Sequence, residues 1–327
     1  QDLRGSKIAG GKFEKNRGVF AMDWDLIIYD EAHEGTQTDI GLNVQKLLET
    51  PKAGKRPKKV LQLSGTPYNL LSQYEDDNVY SWDYVMEQRC KREWDDKHPG
   101  DHNPYADLPE LRICTFDLRN KMQTSYRYED ENIAFNFREF FVTNDNGNFV
   151  HESDIKNFLN MLIKSSSDNY PYSNEEYRKL FRHSLWMIPG VKAGKALSKL
   201  LKTHEVFKNF EIVNVAGNGD TDEESTDALE KVRKAIDNND YTITLSCGKL
   251  TTGVTIPEWT AVFMLAGSFS TSAMSYLQTI FRVQSPCRTN GKFKQNCYVF
   301  DFAPDRTLKV VAESAAISAR AGKTDDN

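Results

Sequence analysis

Asp30 and Glu31 stand side by side directly after the apolar run Leu26, Ile27, Ile28, Tyr29. A short continuous apolar run of this kind suits a parallel strand covered on both faces. The carboxyl end of such a strand is where open α/β sheets place their ligands. A hard divalent cation such as Mg²⁺ wants oxygen ligands and keeps several waters, so a single carboxylate beside a phosphate chain is enough to hold it. A second carboxylate next to it can orient or deprotonate an attacking water. The competing reading, an acidic pair that merely ends a strand in solvent, is the usual one for an isolated Asp-Glu; the strand directly before it argues otherwise.

The elements that must carry this pair read as a strand–helix–strand series. Strand-like runs lie at 26–29, 60–63 and 111–116, with a helical pattern of Leu42, Val44, Leu47 and Leu48 between the first two. Such alternation points to a parallel sheet. From about 120 to 184 the character changes: Tyr126, Tyr128, Phe135, Phe137, Phe140 and Phe141 crowd together, the turn signal Asn144-Asp145-Asn146-Gly147 follows, and a helix is expected over 153–163. Alternation then resumes, with strands expected at 185–188, 211–215, 241–245, 261–265 and 297–302 and helices at 193–201, 226–236, 273–281 and 307–321. The expected fold is therefore α/β, with a first domain over 1–119, a mostly helical insertion over 120–184 and a second α/β domain over 185–327.

Composition narrows the function classes. The chain has 327 residues, 39% hydrophobic and 27% charged, with a net charge of −5. That length supports about two domains, and the charge gives no general electrostatic case for nucleic-acid binding. The best local basic feature is the run Lys52, Lys55, Arg56, Lys58, Lys59, which reads either as a solvated loop or as a weak nucleic-acid contact. Five widely spaced cysteines, Cys90, Cys114, Cys247, Cys287 and Cys297, form no CxxC and read as reduced thiols of a cytoplasmic protein. No apolar stretch approaches the roughly 20 residues of a membrane span. The chain starts at Gln1 in a polar segment with no strand before it, and both ends read as cut from a longer polypeptide.

The order of motifs carries a resemblance. Asp30-Glu31-Ala32-His33 is similar to motif II of superfamily 2 helicases and translocases, and Ser64-Gly65-Thr66-Pro67, after its strand, is similar to motif III. Residues 185–189 fall where motif IV belongs. Leu250-Thr251-Thr252-Gly253-Val254-Thr255-Ile256-Pro257 resembles motif V, and Tyr276-Leu277-Gln278-Thr279-Ile280-Phe281-Arg282 resembles the start of motif VI. Five motifs in order span most of the chain, and the likeness is nearest to the motor subunits of ATP-dependent restriction enzymes, type I R-type and type III Res-type.

The resemblance implies two RecA-like parallel-sheet lobes, with ATP and Mg²⁺ as cofactors. On that pattern Asp30 holds Mg²⁺ through water and Glu31 acts on the attacking water. His33, Ser64, Gly65 and Thr66 change partners as the nucleotide changes. Gly253, Thr255, Gln278 and Arg282 serve the nucleotide from the second lobe, with Arg282 as the arginine that offsets developing charge and Arg288 as a weaker second. Lys55, Arg56, Lys58, Cys247 and Thr251 face nucleic acid. The implied function is a motor moving on double-stranded DNA, beside methyltransferase, specificity or nuclease partners.

Departures from the pattern are specific. Thr255 stands where motif V usually carries an acidic residue, Phe281 where motif VI usually has glycine, and Ser285 where a second arginine is usual, the next being Arg288. Motif I, the phosphate-cradling G-x-x-x-x-G-K-[ST], is absent. Gly11-Lys12, Gly194-Lys195 and Gly322-Lys323 are near misses that lack the first glycine, and none is expected to run from a strand into a helix N-terminus. The first lobe is thus expected to be only its C-terminal part, and this chain alone is expected to be inactive. Two alternatives remain open: another superfamily 2 helicase acting on DNA or RNA, and a non-hydrolysing α/β module used for partner binding.

Overall fold

A computed structural model of the chain describes residues 2–32, 38–51, 59–67, 70–118, 135–165, 170–217, 222–248, 250, 254–267, 273–289 and 291–321. The chain divides into two compact units, residues 1–81 with 319–327, and residues 82–318. The fold is α/β, built on parallel sheets.

In the first unit β1 (Leu26–Tyr29) and β2 (Lys59–Gln62) pair in parallel, in register from Leu26 opposite Lys59 to Tyr29 opposite Gln62. The crossover between them carries the helix Asp39–Glu49. Its start is set by Thr38, whose hydroxyl accepts a hydrogen bond from Gly41 N at 3.1 Å. Val44 and Leu48, four residues apart on one face, pack against Ile27 and Ala9. This helix covers only one face of the pair. Leu26 and Ile28, expected to be covered, are 49% and 54% exposed. The physical reason is that β1 turns Ile27 toward the helix and its neighbours the opposite way, and a strand alternates faces residue by residue.

The second unit holds a six-stranded parallel sheet in the order β3-β10-β7-β4-β6-β5, formed by Glu110–Thr115, Asn296–Asp301, Ala261–Met264, His183–Met187, Thr242–Ser246 and Glu211–Asn214. Every residue of β4, β6 and β7, at the centre of the sheet, is buried, as a parallel sheet clothed on both faces requires. Helices Val191–Thr203 and Asp222–Asn238 connect these strands. The helix Glu152–Ile163 buries Ile155, Phe158, Leu159 and Leu162 in the same core, together with Phe137 and Phe140 of the expected insertion. Its centre is aromatic: Trp186 and Phe263 stack with centroids 4.9 Å apart, and Tyr172 lies 5.4 Å from Phe263. Both Tyr172 Oη and Trp186 Nε1 hydrogen-bond Ser184 Oγ, so these rings reach the core without orphaned polar atoms.

One strand lies elsewhere than expected. The run at 111–116, read as part of the first sheet, pairs with β10 along its whole length, Asn296 opposite Glu110 through Asp301 opposite Thr115. Apolar patterning specifies that a strand exists, not which sheet it joins. Here Tyr84 Oη, from the helix Tyr84–Lys97, accepts a hydrogen bond from Leu111 N at 2.8 Å and anchors the strand from the side.

Candidate functional site

In the first unit the β1–β2 ladder runs on past the strands and fixes the acidic pair. Leu63 N donates to Tyr29 O and Ala32 N donates to Leu63 O, both at 2.9 Å. Ala32 is buried, while Asp30 and Glu31 are exposed. Glu31 N donates to Asp30 Oδ1 at 3.0 Å, and Glu31 itself holds φ +46°. A side-chain-bearing residue in that left-handed region stores strain of about 1–3 kcal/mol and clusters at functional sites. Ser64 Oγ accepts from Thr66 N at 3.1 Å, which folds the second strand's end into a tight turn. Thr66 is 2% exposed and its hydroxyl has no hydrogen-bond partner among the described residues. A Cβ added to Gly65 would meet nothing within 4 Å, so that glycine is not there for packing. The structure thus brings Asp30, Glu31, Ser64, Gly65 and Thr66 to the carboxyl ends of two neighbouring strands. His33, Lys55, Arg56 and Lys58 lie outside the described residues.

In the second unit the arginine and the loop before β7 are tied together. The helix Ala273–Ile280 carries Gln278 and runs into a 3-10 turn, Phe281–Val283, that carries Arg282. Arg282 Nε donates to Gln278 O at 3.0 Å and its Nη1 to Val254 O at 2.8 Å. Thr255, the next residue, is exposed. Arg288 sits apart on a two-stranded hairpin, β8 (Arg288–Thr289) with β9 (Lys292–Phe293), donating to Gly291 O at 3.3 Å with its guanidinium 4.6 Å over the Phe293 ring. Cys247 is half-buried against the core. Thr251 and Gly253 lie outside the described residues.

Three further residues hold this turn, and none drew notice in the sequence. Lys294 Nζ donates to Pro257 O, Val283 O and Trp259 O at 2.7, 2.9 and 3.1 Å. Gln284 Nε2 donates to Glu87 Oε1 at 2.9 Å. Burial pushes Lys294 down to about 8 and raises Glu87 above the usual carboxylate range. A lysine among polar residues and a glutamate on a polar helix carry no motif, so no sequence signal marks them.

Neither described Gly-Lys pair forms a phosphate loop. Gly194 lies inside the helix Val191–Thr203, where a Cβ would come 2.6 Å from Ile188 Cδ1; it is a glycine of close helix–sheet packing. Gly11 backs onto Gly5, and no helix begins until Arg17. Gly322-Lys323 lies outside the described residues. The donor set of the acidic pair, two exposed carboxylates, suits Mg²⁺. Among the described residues no three of His, Cys, Asp and Glu gather as a metal cluster, and a cation that keeps its waters needs only one or two carboxylates. No helix among the described residues is long and apolar enough to cross a membrane.

The chain is 30% identical, over an alignment of 371 positions, to a Mycoplasma pneumoniae protein described as "Putative type II restriction enzyme and methyltransferase RM.MpnORF110P C-terminus". The alignment covers 94% of this chain, and the chain spans about half (50%) of that relative's length. The restriction-enzyme side of the likeness read from the motifs agrees with that relative's description, which names a restriction enzyme and a methyltransferase. No protein-family model matches the chain. Among solved structures, the ATP-dependent type ISP restriction-modification enzyme LlaBIII bound to DNA is similar over 90% of this chain and 20% of its own, at TM-score 0.43 and 14% identity. Mss116p bound to single-stranded RNA and AMP-PNP is similar over 88% of this chain and 45% of its own, at TM-score 0.41 and 13% identity. Superpositions this loose carry no weight for function.

Proposed function

We propose that this chain supplies part of the ATP-hydrolysing motor of a restriction–modification protein, one that couples hydrolysis to movement along double-stranded DNA. The observation that carries this reading is the ladder joining Asp30-Glu31 to residues 64–66. It sets an acidic pair and a small-hydroxyl turn at adjacent strand ends, joined by the hydrogen bonds of Ala32 and Leu63.

Bound ATP with Mg²⁺ would supply the phosphoanhydride to be cleaved and the charge to polarise it. Asp30 offers a hard oxygen ligand for the ion, and Glu31 takes the proton of an attacking water. On the motor reading Gln278 and Arg282 would contribute a hydrogen-bonding and a cationic group, the arginine offsetting charge developing on the transferred phosphoryl group. The buried Thr66 hydroxyl, without a hydrogen-bond partner among the described residues, supports a turn that exchanges partners during the cycle. The resemblance places Lys55, Arg56, Lys58, Cys247 and Thr251 toward nucleic acid and methyltransferase or nuclease parts elsewhere in the assembly.

The test uses the protein encoded by the full gene. It should hydrolyse ATP in a DNA-stimulated manner, of order 1–1000 per second, with a rate that rises with DNA length and without strand separation. Glu31→Gln should cut turnover at least about a hundredfold while equilibrium ATP binding stays within about threefold. Unchanged turnover in Glu31→Gln would overturn the role of the acidic pair. Strand separation would favour an unwinding helicase over a translocase.

A further inference from the structure

We infer that Lys294 is a positioning residue, its ammonium strapping the loop at 254–259 to the turn at 281–283 and so holding Arg282 for the ATP reaction. This rests on the motor reading above. Lys294 lies between β9 and β10, and its three donors meet carbonyls from two segments distant in sequence, Pro257 and Trp259 on one side and Val283 on the other. An ammonium has three donors, and all three are used. Trp259 and Val283 are both fully buried, so the strap joins points inside the core.

The same loop is gripped at its other end by Arg282, through Val254 O. The turn is pinned on its far side by Gln284 to Glu87, and Phe281 lies 6.3 Å from the Tyr84 ring. Lys294 therefore closes a frame around Arg282 without being a group that acts on a nucleotide itself. Its hydrogen-bond partners are all neutral carbonyls, and an ammonium buried with no carboxylate in hydrogen-bond contact is costly. An apolar side chain would fill the space at less electrostatic cost but could not join three carbonyls. The titratable and charged groups facing the ammonium are Cys287, Cys297 and Glu258.

Lys294→Met removes the strap, and Lys294→Arg keeps a charged donor. In the 327-residue chain, Lys294→Met should speed amide exchange about tenfold at 254–259 and 281–285 and leave β4 and β6 unchanged. In the full-gene protein it should lower kcat about tenfold per folded molecule with KM within about twofold, and Lys294→Arg should restore at least half of that loss. Unchanged exchange would overturn the strap. Faster exchange with unchanged kcat would overturn the positioning role and leave only a structural one. A wild-type protein that fails to hydrolyse ATP would sink the motor reading, while exchange still decides the strap. Should Lys294→Met fail to fold, the wild-type chain serves: raising pH from about 7 to about 9 leaves the amine two donors for three carbonyls. Exchange at 254–259, corrected for its intrinsic pH dependence, should then rise in wild type and not in Lys294→Arg. A flat wild-type profile would overturn the strap.

Discussion

Arg306→Met should destabilise the unit at 82–318 by about 4 kcal/mol, because it breaks a buried ion pair by removing one partner only. Asp301 is 0% and Arg306 1% exposed. The Asp301 carboxylate accepts from Ala303 N at 2.9 Å, Thr307 Oγ1 at 2.8 Å, and Arg306 Nε and Nη2 at 3.2 and 2.5 Å. Methionine removes the two arginine bonds and the compensating charge, and leaves Met264 O and Ala266 O without that donor. Loss of one partner of such a pair costs about 3–5 kcal/mol, and the abandoned carbonyls push toward the upper part of that range. About 4 kcal/mol is close to three decades in the folded-to-unfolded ratio. Guanidinium unfolding followed by tryptophan fluorescence reads this unit through buried Trp186 and Trp259; the two units require separate transitions to be fitted. The double variant Asp301→Leu with Arg306→Met should lose less than Arg306→Met alone, since no charge is then left buried. A loss under about 1 kcal/mol in Arg306→Met, or a double variant worse than the sum of its singles, would refute the reasoning. The pair also matters to the candidate site: the Arg306 guanidinium lies 5.7 Å from the Tyr276 ring, on the helix that bears Gln278.

Two further outcomes are expected. Buried His183, hydrogen-bonded to Thr242 Oγ1 at 3.1 Å, is held down to about 4 by desolvation first and Arg182 second. Its folded value lies below the unfolded one near 6.5, so the stability it confers is complete above about 6.5 and is lost as pH falls toward about 4, on the order of 3 kcal/mol. Unfolding measured at pH 7 and pH 4.5 should show this loss, and His183→Asn should remove most of the difference; an unchanged difference would refute it. In the full-gene protein, Arg282→Ala should lower ATP turnover at least about a hundredfold with nucleotide affinity changed under about tenfold, and Arg288→Ala should stay within about threefold. The reverse ranking would transfer the finger to the hairpin arginine.

The inner strands were legible because burial on both faces leaves a continuous run of apolar and β-branched residues, as in Ala261–Met264. The acidic pair was legible because polar residues break off such a run abruptly. The helix Tyr84–Lys97 was not, since Gln88 is its one buried residue and no apolar stripe marks it, although Asp83 caps it by accepting from Met86 N at 2.8 Å. The partner of Glu110–Thr115 was hidden for the reason edge strands often are: its alternation is weak and its identity as an edge depends on a strand 186 positions later, Glu110 lying opposite Asn296. Lys294 was invisible because its role is written in three backbone carbonyls, which every residue possesses.

The left-handed backbone at Glu31 bears on how this protein could be engineered. Glycine adopts that conformation without the Cβ penalty, and asparagine with less of it than glutamate. A library selected for thermal stability alone should therefore drift from glutamate at position 31, gaining about a degree or two in Tm while discarding the acid. If Glu31 has the role proposed for it, selection for resilience and selection for turnover would pull this one position in opposite directions, and a consensus built from stabilised variants would lose the glutamate first.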